Sequence, residues 1–159
     1  MTRREVPLDA IEILRALTGN QVDYVVIGGL AVQAHGHTRT TQDVGIVPAP
    51  GPRNRHRLEA ALTALESRPV GQQTPNQVPI PVTGVLELDT LAGGVDVHLD
   101  PPGAPPYDLL RARALELDLG LGGPVPVAGL DDLIAMKRTS GRPLDRSDIL
   151  VLTEPGQGS

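Results

Sequence analysis

The residues best suited to chemistry in this chain are two glycines, two aspartates and a lysine. Gly28 and Gly29 follow an apolar run over residues 22–27 and precede a short helical pattern. A glycine turn that opens a helix presents backbone N–H groups able to cradle phosphate oxygens. Asp43 stands in the next apolar run, and Asp96 stands between Val95 and Val97 in a later one. Carboxylates at positions i and i+2 of a strand emerge on one face, which suits a pair of divalent cations about 3.5–4 Å apart. Two positions after Asp43, however, the chain has Gly45. Lys137 is the only lysine; every other basic side chain apart from the histidines is arginine. A codon bias toward arginine accounts for the scarcity of lysine, but a compact ammonium also suits phosphate oxygens in a way the planar guanidinium does not.

Each feature has a plainer reading beside the chemical one. A Gly-Gly pair after a strand is often only a tight turn. Asp43 can pair with Arg39 at a solvated surface, and Asp96 can be the exposed side of a half-buried strand. His98 shares a face with Asp96, so it either replaces a missing metal ligand or stands in solvent. His35 and His37 flank Gly36 in a turn, where a structural role or packing against a nucleotide edge is expected rather than catalysis. Arg53, Arg55, His56 and Arg57 form a basic run at a helix start, either facing an RNA backbone or simply solvated, although cations there oppose the helix dipole. Asp145 and Asp148 either belong to a site or pair with Arg142 and Arg146 near the first turn of the last helix.

The elements that must position these groups follow from periodicity. Ile11, Leu14 and Leu17 at helical spacing predict a helix over 8–17, stopped by Gly19 and Asn20. Residues 22–27 and 43–47 read as buried strands with a short helix over 30–35 between them. Leu58, Ala61, Leu62 and Leu65 mark a helix over 55–67, and the Gln-, Pro- and Gly-rich stretch 68–81 reads as a loop. Residues 85–89 and 95–99 flank Gly93-Gly94 as a hairpin. Helices are expected over 107–114, 131–139 and 145–152. Val125-Pro126-Val127 reads as a short edge strand, because proline cannot donate to a ladder. The expected class is α+β or mixed α/β, a small mixed sheet flanked by helices. Residues 1–152 are expected to form a single domain, with 153–159 a flexible C-terminal tail.

Composition narrows the possibilities. The 159 residues include no Cys, Phe or Trp, so the core must be built from Leu, Val, Ile and Ala, without disulfides or thiolate chemistry. The net charge of −5 argues against broad nucleic-acid coating while leaving room for a local basic groove. Arg3 and Arg4 are followed by no apolar run, and no stretch approaches the roughly 20 apolar residues of a membrane helix. No membrane association and a cytoplasmic location are expected.

The run Ile27-Gly28-Gly29-Leu30-Ala31, followed by His35-Gly36, Arg39, Thr41 and Asp43, resembles the AbiE-type (AbiEii-like) nucleotidyltransferases of the polymerase-β-like superfamily. The pattern of that family is a GG or GS turn followed by an acid–hydrophobic–acid triplet. Here the triplet is Asp43-Val44-Gly45, so the second acid is absent. The third acid of the family matches Asp96, and its C-terminal motif resembles Lys137, Arg142, Asp145 and Asp148. The resemblance covers residues 22–152. It implies a nucleoside triphosphate as substrate, with Mg²⁺ or Mn²⁺ as cofactor. It implies as acceptor an RNA, such as a tRNA 3′ end, or a protein, and in a toxin–antitoxin setting an antitoxin or other protein as partner. Carried over by residue, Gly28, Gly29, Arg39 and Lys137 would bind the nucleotide, and Asp43 and Asp96 would bind metal. Asp43, Asp96, Lys137 and Asp148 would form the catalytic set, with Asp148 orienting Lys137 or joining the site.

Gly45 divides the functional expectation. Removing one of three carboxylates weakens the hold on the ion that activates the attacking hydroxyl, and positioning and electrostatics supply most of the catalysis in such reactions. A nucleotidyltransferase with altered metal dependence, a nucleotide-binding protein without turnover and a protein-interaction module all remain compatible with the sequence. Retention of Asp96 and Lys137 favours the first two.

Overall fold

A computed structural model describes residues 6–38, 40–72, 79–141 and 143–153. Arg39, Arg142 and the tail from residue 154 lie outside the described residues, as does the side chain of Asp145. The chain order is α1 (Ala10–Gly19), β1 (Tyr24–Ile27), α2 (Gly28–Ala34), β2 (Asp43–Pro48), α3 (Pro52–Ala64), β3 (Arg68–Pro69), β4 (Gly84–Thr90), β5 (Gly93–Leu99), α4 (Tyr107–Ala112), β6 (Leu115–Leu117), β7 (Val125–Val127), α5 (Leu130–Ser140) and α6 (Pro143–Thr153). The strands make one mixed sheet in the order β3-β4-β5-β2-β1-β7-β6, the mixed α/β arrangement expected from the sequence.

The centre of the sheet is set by three strands with different directions. β1 and β2 are antiparallel neighbours, while β2 and β5 run parallel. Val44, Ile46, Val95 and Val97 are fully buried, and with Val25 and Val26 they form the middle of an aliphatic core. Tyr24 is the buried aromatic ring of that core, its hydroxyl sharing a 2.9 Å hydrogen bond with Thr18 Oγ1. Ile13, Leu14 and Leu17 pack into the same core from α1, whose first turn is capped by Asp9 accepting from the Glu12 N–H at 3.2 Å.

Four elements depart from the sequence expectation, the first being the β4–β5 hairpin, which turns at Leu91-Ala92 with Gly93 and Gly94 inside β5 opposite Thr90 and Asp89. Residues 68–81 do not begin as loop: Arg68 and Pro69 pair with Asp89 and Leu88 as β3. The edge beyond β7 is β6, a strand too short and weakly patterned to be read from sequence, so Val125–Val127 is an interior strand rather than an edge. Pro126 is tolerated there because the ladder to β1 is a single bridge at Val127, and the Ala128 N–H, beyond the proline, donates to Val26 O at 2.9 Å. The short helix begins at the glycine pair itself, earlier than its apolar pattern suggests.

Candidate active site

The β2–β5 register decides which side chains share a face. It sets Asp43 opposite Gly94 and Gly45 opposite Asp96. Because Val44, Ile46, Val95 and Val97 turn into the core, the alternate residues Asp43, Gly45, Asp96 and His98 turn to the other face. All four line an open cavity of about 700 Å³. Gly28 and Gly29 border it at the end of β1, and Leu133, Met136, Lys137 and Ser140 close it from α5. The cavity therefore brings together Gly28, Gly29, Asp43, Asp96 and Lys137, which lie far apart in sequence.

Gly28 has φ +75°, a torsion that disfavours any residue with a Cβ. A Cβ built there would meet no atom within 4 Å, so torsion and not crowding demands the glycine, and the space beside it is open. Among the described residues no side chain caps α2, whose cap position is the extended Ile27. The far end of α2 is tied down by His35, whose Nε2 donates to Ala128 O at 2.9 Å, a structural role. Thr41 Oγ1 donates to Asp43 O at 2.9 Å and fixes the start of β2.

The acid side of the cavity is sparse. With no carboxylate at Gly45, Asp43 and Asp96 are diagonal neighbours across two parallel strands, about 8 Å apart at Cα from the usual strand spacing and rise. Among the described residues no three His, Cys, Asp or Glu side chains are gathered to hold a metal ion by themselves. Two carboxylates bordering one cavity nevertheless fit a hard divalent cation such as Mg²⁺, which takes one or two carboxylates together with substrate phosphates and water. A Cβ at position 45 would lie 3.4 Å from Ile27 Cγ1 and Ile27 O and 3.6 Å from His98 Nε2, ordinary contact distances. Crowding does not exclude a side chain there.

The opposite wall is densely paired. Lys137 Nζ donates to Asp148 Oδ2 at 2.9 Å, and each side chain is only 6% exposed. Asp148 lies in the second turn of α6 and is buried, its carboxylate accepting from Lys137 of α5. The reversal between the two helices comes from Gly141, which adopts the left-handed conformation at φ +65° while its N–H donates to Lys137 O at 3.0 Å. At the start of α5, Arg113 donates to the buried Asp132 at 3.0 Å, which anchors the helix carrying Lys137.

Sequence reading missed the apolar lining of the cavity, Val85 from β4 and Leu133 and Met136 from α5. The signal was present in α5: 133, 136, 137 and 140 follow helical i, i+3, i+4, i+7 spacing, so they share the face that carries the lysine. The basic run lies elsewhere. Arg53, Arg55 and His56 are exposed at the start of α3 and do not border the cavity, while Asn54 between them is buried and bonds Asp23 N, Asp23 O and Ala49 O. Asn54 is a structural clamp that sequence reading passed over.

Comparison with solved structures identifies the architecture. The chain is similar to an antigenic nucleotidyltransferase-like protein from Paracoccidioides brasiliensis, with 20% identity, TM-score 0.55, and coverage of 92% of this chain and 78% of that one. It is similar to the lincosamide antibiotic adenylyltransferase LnuA in its lincomycin-bound form, with 16% identity, TM-score 0.63, and coverage of 94% and 99%. It is also similar to ANT(2'')-Ia in complex with adenylyl-2''-tobramycin, with 16% identity, TM-score 0.57, and coverage of 89% and 84%. No protein-family model and no curated protein matches the chain, so the AbiE-type resemblance rests on its sequence motifs. The fold is nucleotidyltransferase-like.

Proposed function

We propose that this protein binds a nucleoside triphosphate and a divalent cation in the cavity between β2, β5 and α5, and transfers the nucleotidyl group to a hydroxyl acceptor. The observation that carries the reading is the opposition of two walls across one cavity. Asp43 and Asp96 border it from the sheet, and Lys137, held by Asp148, borders it from α5. Asp43 and Asp96 would hold the cation, which when bound neutralises charge on the triphosphate. Lys137 contacts phosphate oxygens, its ammonium aimed by the carboxylate of Asp148. The backbone N–H groups of Gly28 and Gly29 receive the remaining phosphate oxygens, and Arg39 stays a candidate nucleotide contact from its sequence position alone. The acceptor hydroxyl gives up its proton to solvent water as its oxygen forms a bond to the α-phosphorus, the bond from that phosphorus to the bridging oxygen breaks, and pyrophosphate leaves with the electron pair.

The AbiE-type resemblance supports an RNA such as a tRNA 3′ end, or a protein, as acceptor, and an antitoxin-like protein as partner. One feature favours a second class. The cavity is lined by Val85 from β4 and by Leu133 and Met136 from α5, and the whole chain has net charge −5. An apolar wall in an acidic protein suits a small hydroxylated molecule with an apolar face better than a polyanion. Two of the structural neighbours are described with lincomycin and with adenylyl-2''-tobramycin, molecules of that size class. The reading of a nucleotide-binding protein without turnover rests on Gly45.

Calorimetry with a non-hydrolysable nucleoside triphosphate analogue and Mg²⁺ tests the reading. Binding is expected for the wild type, weakened about tenfold or more by Asp43→Ala, in line with the loss of one charge-assisted contact. No binding heat with any of the four nucleotides would leave only the interaction module. Labelled nucleotide offered with pooled tRNA, protein and small hydroxylated acceptors then separates the acceptor classes.

A further inference from the structure

The position opposite Asp96 contains more than a gap. A Cβ built on Gly45 would stand 3.6 Å from His98 Nε2, and the other atoms it meets belong to Ile27. A carboxylate carried by that Cβ would come within reach of the imidazole, so an acid at position 45 and the His98 ring would share one part of the cavity wall. Both His98 and the residue paired with it across the β4–β5 ladder, Val85, border the cavity. The ring therefore belongs to the cavity wall and not to the outer surface of the sheet.

Charge decides what this exchange does. Two dications a few ångströms apart repel strongly and need concentrated negative charge between them. An acid at position 45 would place that charge directly beside Asp96. The imidazole brings no negative charge, and no three ligating side chains converge among the described residues. We infer that His98 stands in the place of the second carboxylate and makes the cavity a one-cation nucleotide site. This rests on the nucleotide-binding reading above, and it concerns how many ions accompany the nucleotide.

Electron paramagnetic resonance counts free Mn²⁺ as protein is titrated in the presence of a non-hydrolysable triphosphate analogue, with circular dichroism confirming that each variant is folded. The wild type is expected to hold one Mn²⁺ per bound nucleotide, and His98→Ala also one, because removing the ring adds no charge. Gly45→Asp combined with His98→Ala is expected to take up a second Mn²⁺, and to bind it at least threefold more tightly than Gly45→Asp alone, where the imidazole still occupies the place. Two ions per nucleotide in the wild type would overturn the inference while leaving nucleotide binding intact. Equal second-ion affinity in the single and double variants would show that His98 does not occupy the acid's place, and a count that stays at one in the double variant would show that position 45 does not set it. Absence of nucleotide binding in the wild type would instead overturn the parent reading.

Discussion

The two walls of the cavity differ in completeness. On the α5–α6 side, a buried lysine and a buried aspartate satisfy each other at 2.9 Å, 11 residues apart in sequence. On the β2–β5 side, two carboxylates face the cavity with a glycine and a histidine where a third acid would complete the set. Burying an ion pair is costly unless its geometry is good, so a lysine retained in that position, in a chain that otherwise uses arginine, points to a task for its compact charge. On the proposed reading, the half that would face phosphate keeps its charged pair and the half that would face metal lacks one acid. Changes in the two walls should therefore have different consequences.

The largest effect is expected at the paired wall. Asp148→Ala removes the buried carboxylate that Lys137 donates to and should cost about 3–5 kcal/mol in urea unfolding. Replacing both partners, as Lys137→Met with Asp148→Leu, removes both charges and should keep stability within about 2 kcal/mol of the wild type while abolishing nucleotide binding. If that double variant still binds nucleotide with unchanged affinity, the pair is only structural and the comparison between walls fails.

At the sparse wall the expected gain is catalytic. Gly45→Asp should raise nucleotidyl transfer, measured with labelled nucleotide on whichever acceptor responds, by about tenfold or more, equivalent to roughly 1.4 kcal/mol of barrier. A variant no more active than the wild type across all acceptor classes would remove the catalytic interpretation of the gap.

Gly45→Ala should change stability by no more than about 0.5 kcal/mol, since the Cβ meets only ordinary contacts and position 45 is not among the positive-φ glycines. A loss of several kcal/mol would mean that packing, not function, selected the glycine.

The smallest effect lies outside both walls and serves as a control. Burial, followed by the negative charge of Asp23, pushes the Tyr107 hydroxyl up to about 12, and burial also raises that of Tyr24 against the opposing hydrogen bond from Thr18. The folded state thus holds these protons more tightly than the unfolded chain. For Tyr107 the stabilisation is complete below pH 10.0, the ordinary tyrosine value, and is lost as pH rises toward about 12, and the contribution of Tyr24 has the same sign. Ultraviolet absorbance of tyrosinate, in a chain without tryptophan, should show ionisation beginning only above pH 10.0, together with loss of the folded state. Ionisation of both rings at the ordinary value with the fold intact would contradict their burial.

Much of the architecture was legible because periodicity is local. Ile11, Leu14 and Leu17 announced α1, and the alternation of Val95, Asp96 and Val97 announced a half-buried strand. β3 and β6 were not legible, since strands of two and three residues carry too little pattern and exist only because a longer neighbour offers a ladder. Met136 and Leu133 were missed as cavity residues because an apolar helical face reads the same whether it meets a core or a ligand.

The sequence by itself determined the turn at Gly28-Gly29, the identity and alternation of the acids, and the absence of a carboxylate at position 45. Each of these depends on residue type and near spacing alone. Only the tertiary structure decided that β2 and β5 run parallel in the register that sets Gly45 beside Asp96, that His98 Nε2 approaches the place the missing carboxylate would fill, and that Asp148 holds Lys137. Those outcomes depend on strand order and helix packing, in which partners far apart in sequence are chosen by the burial of the whole core.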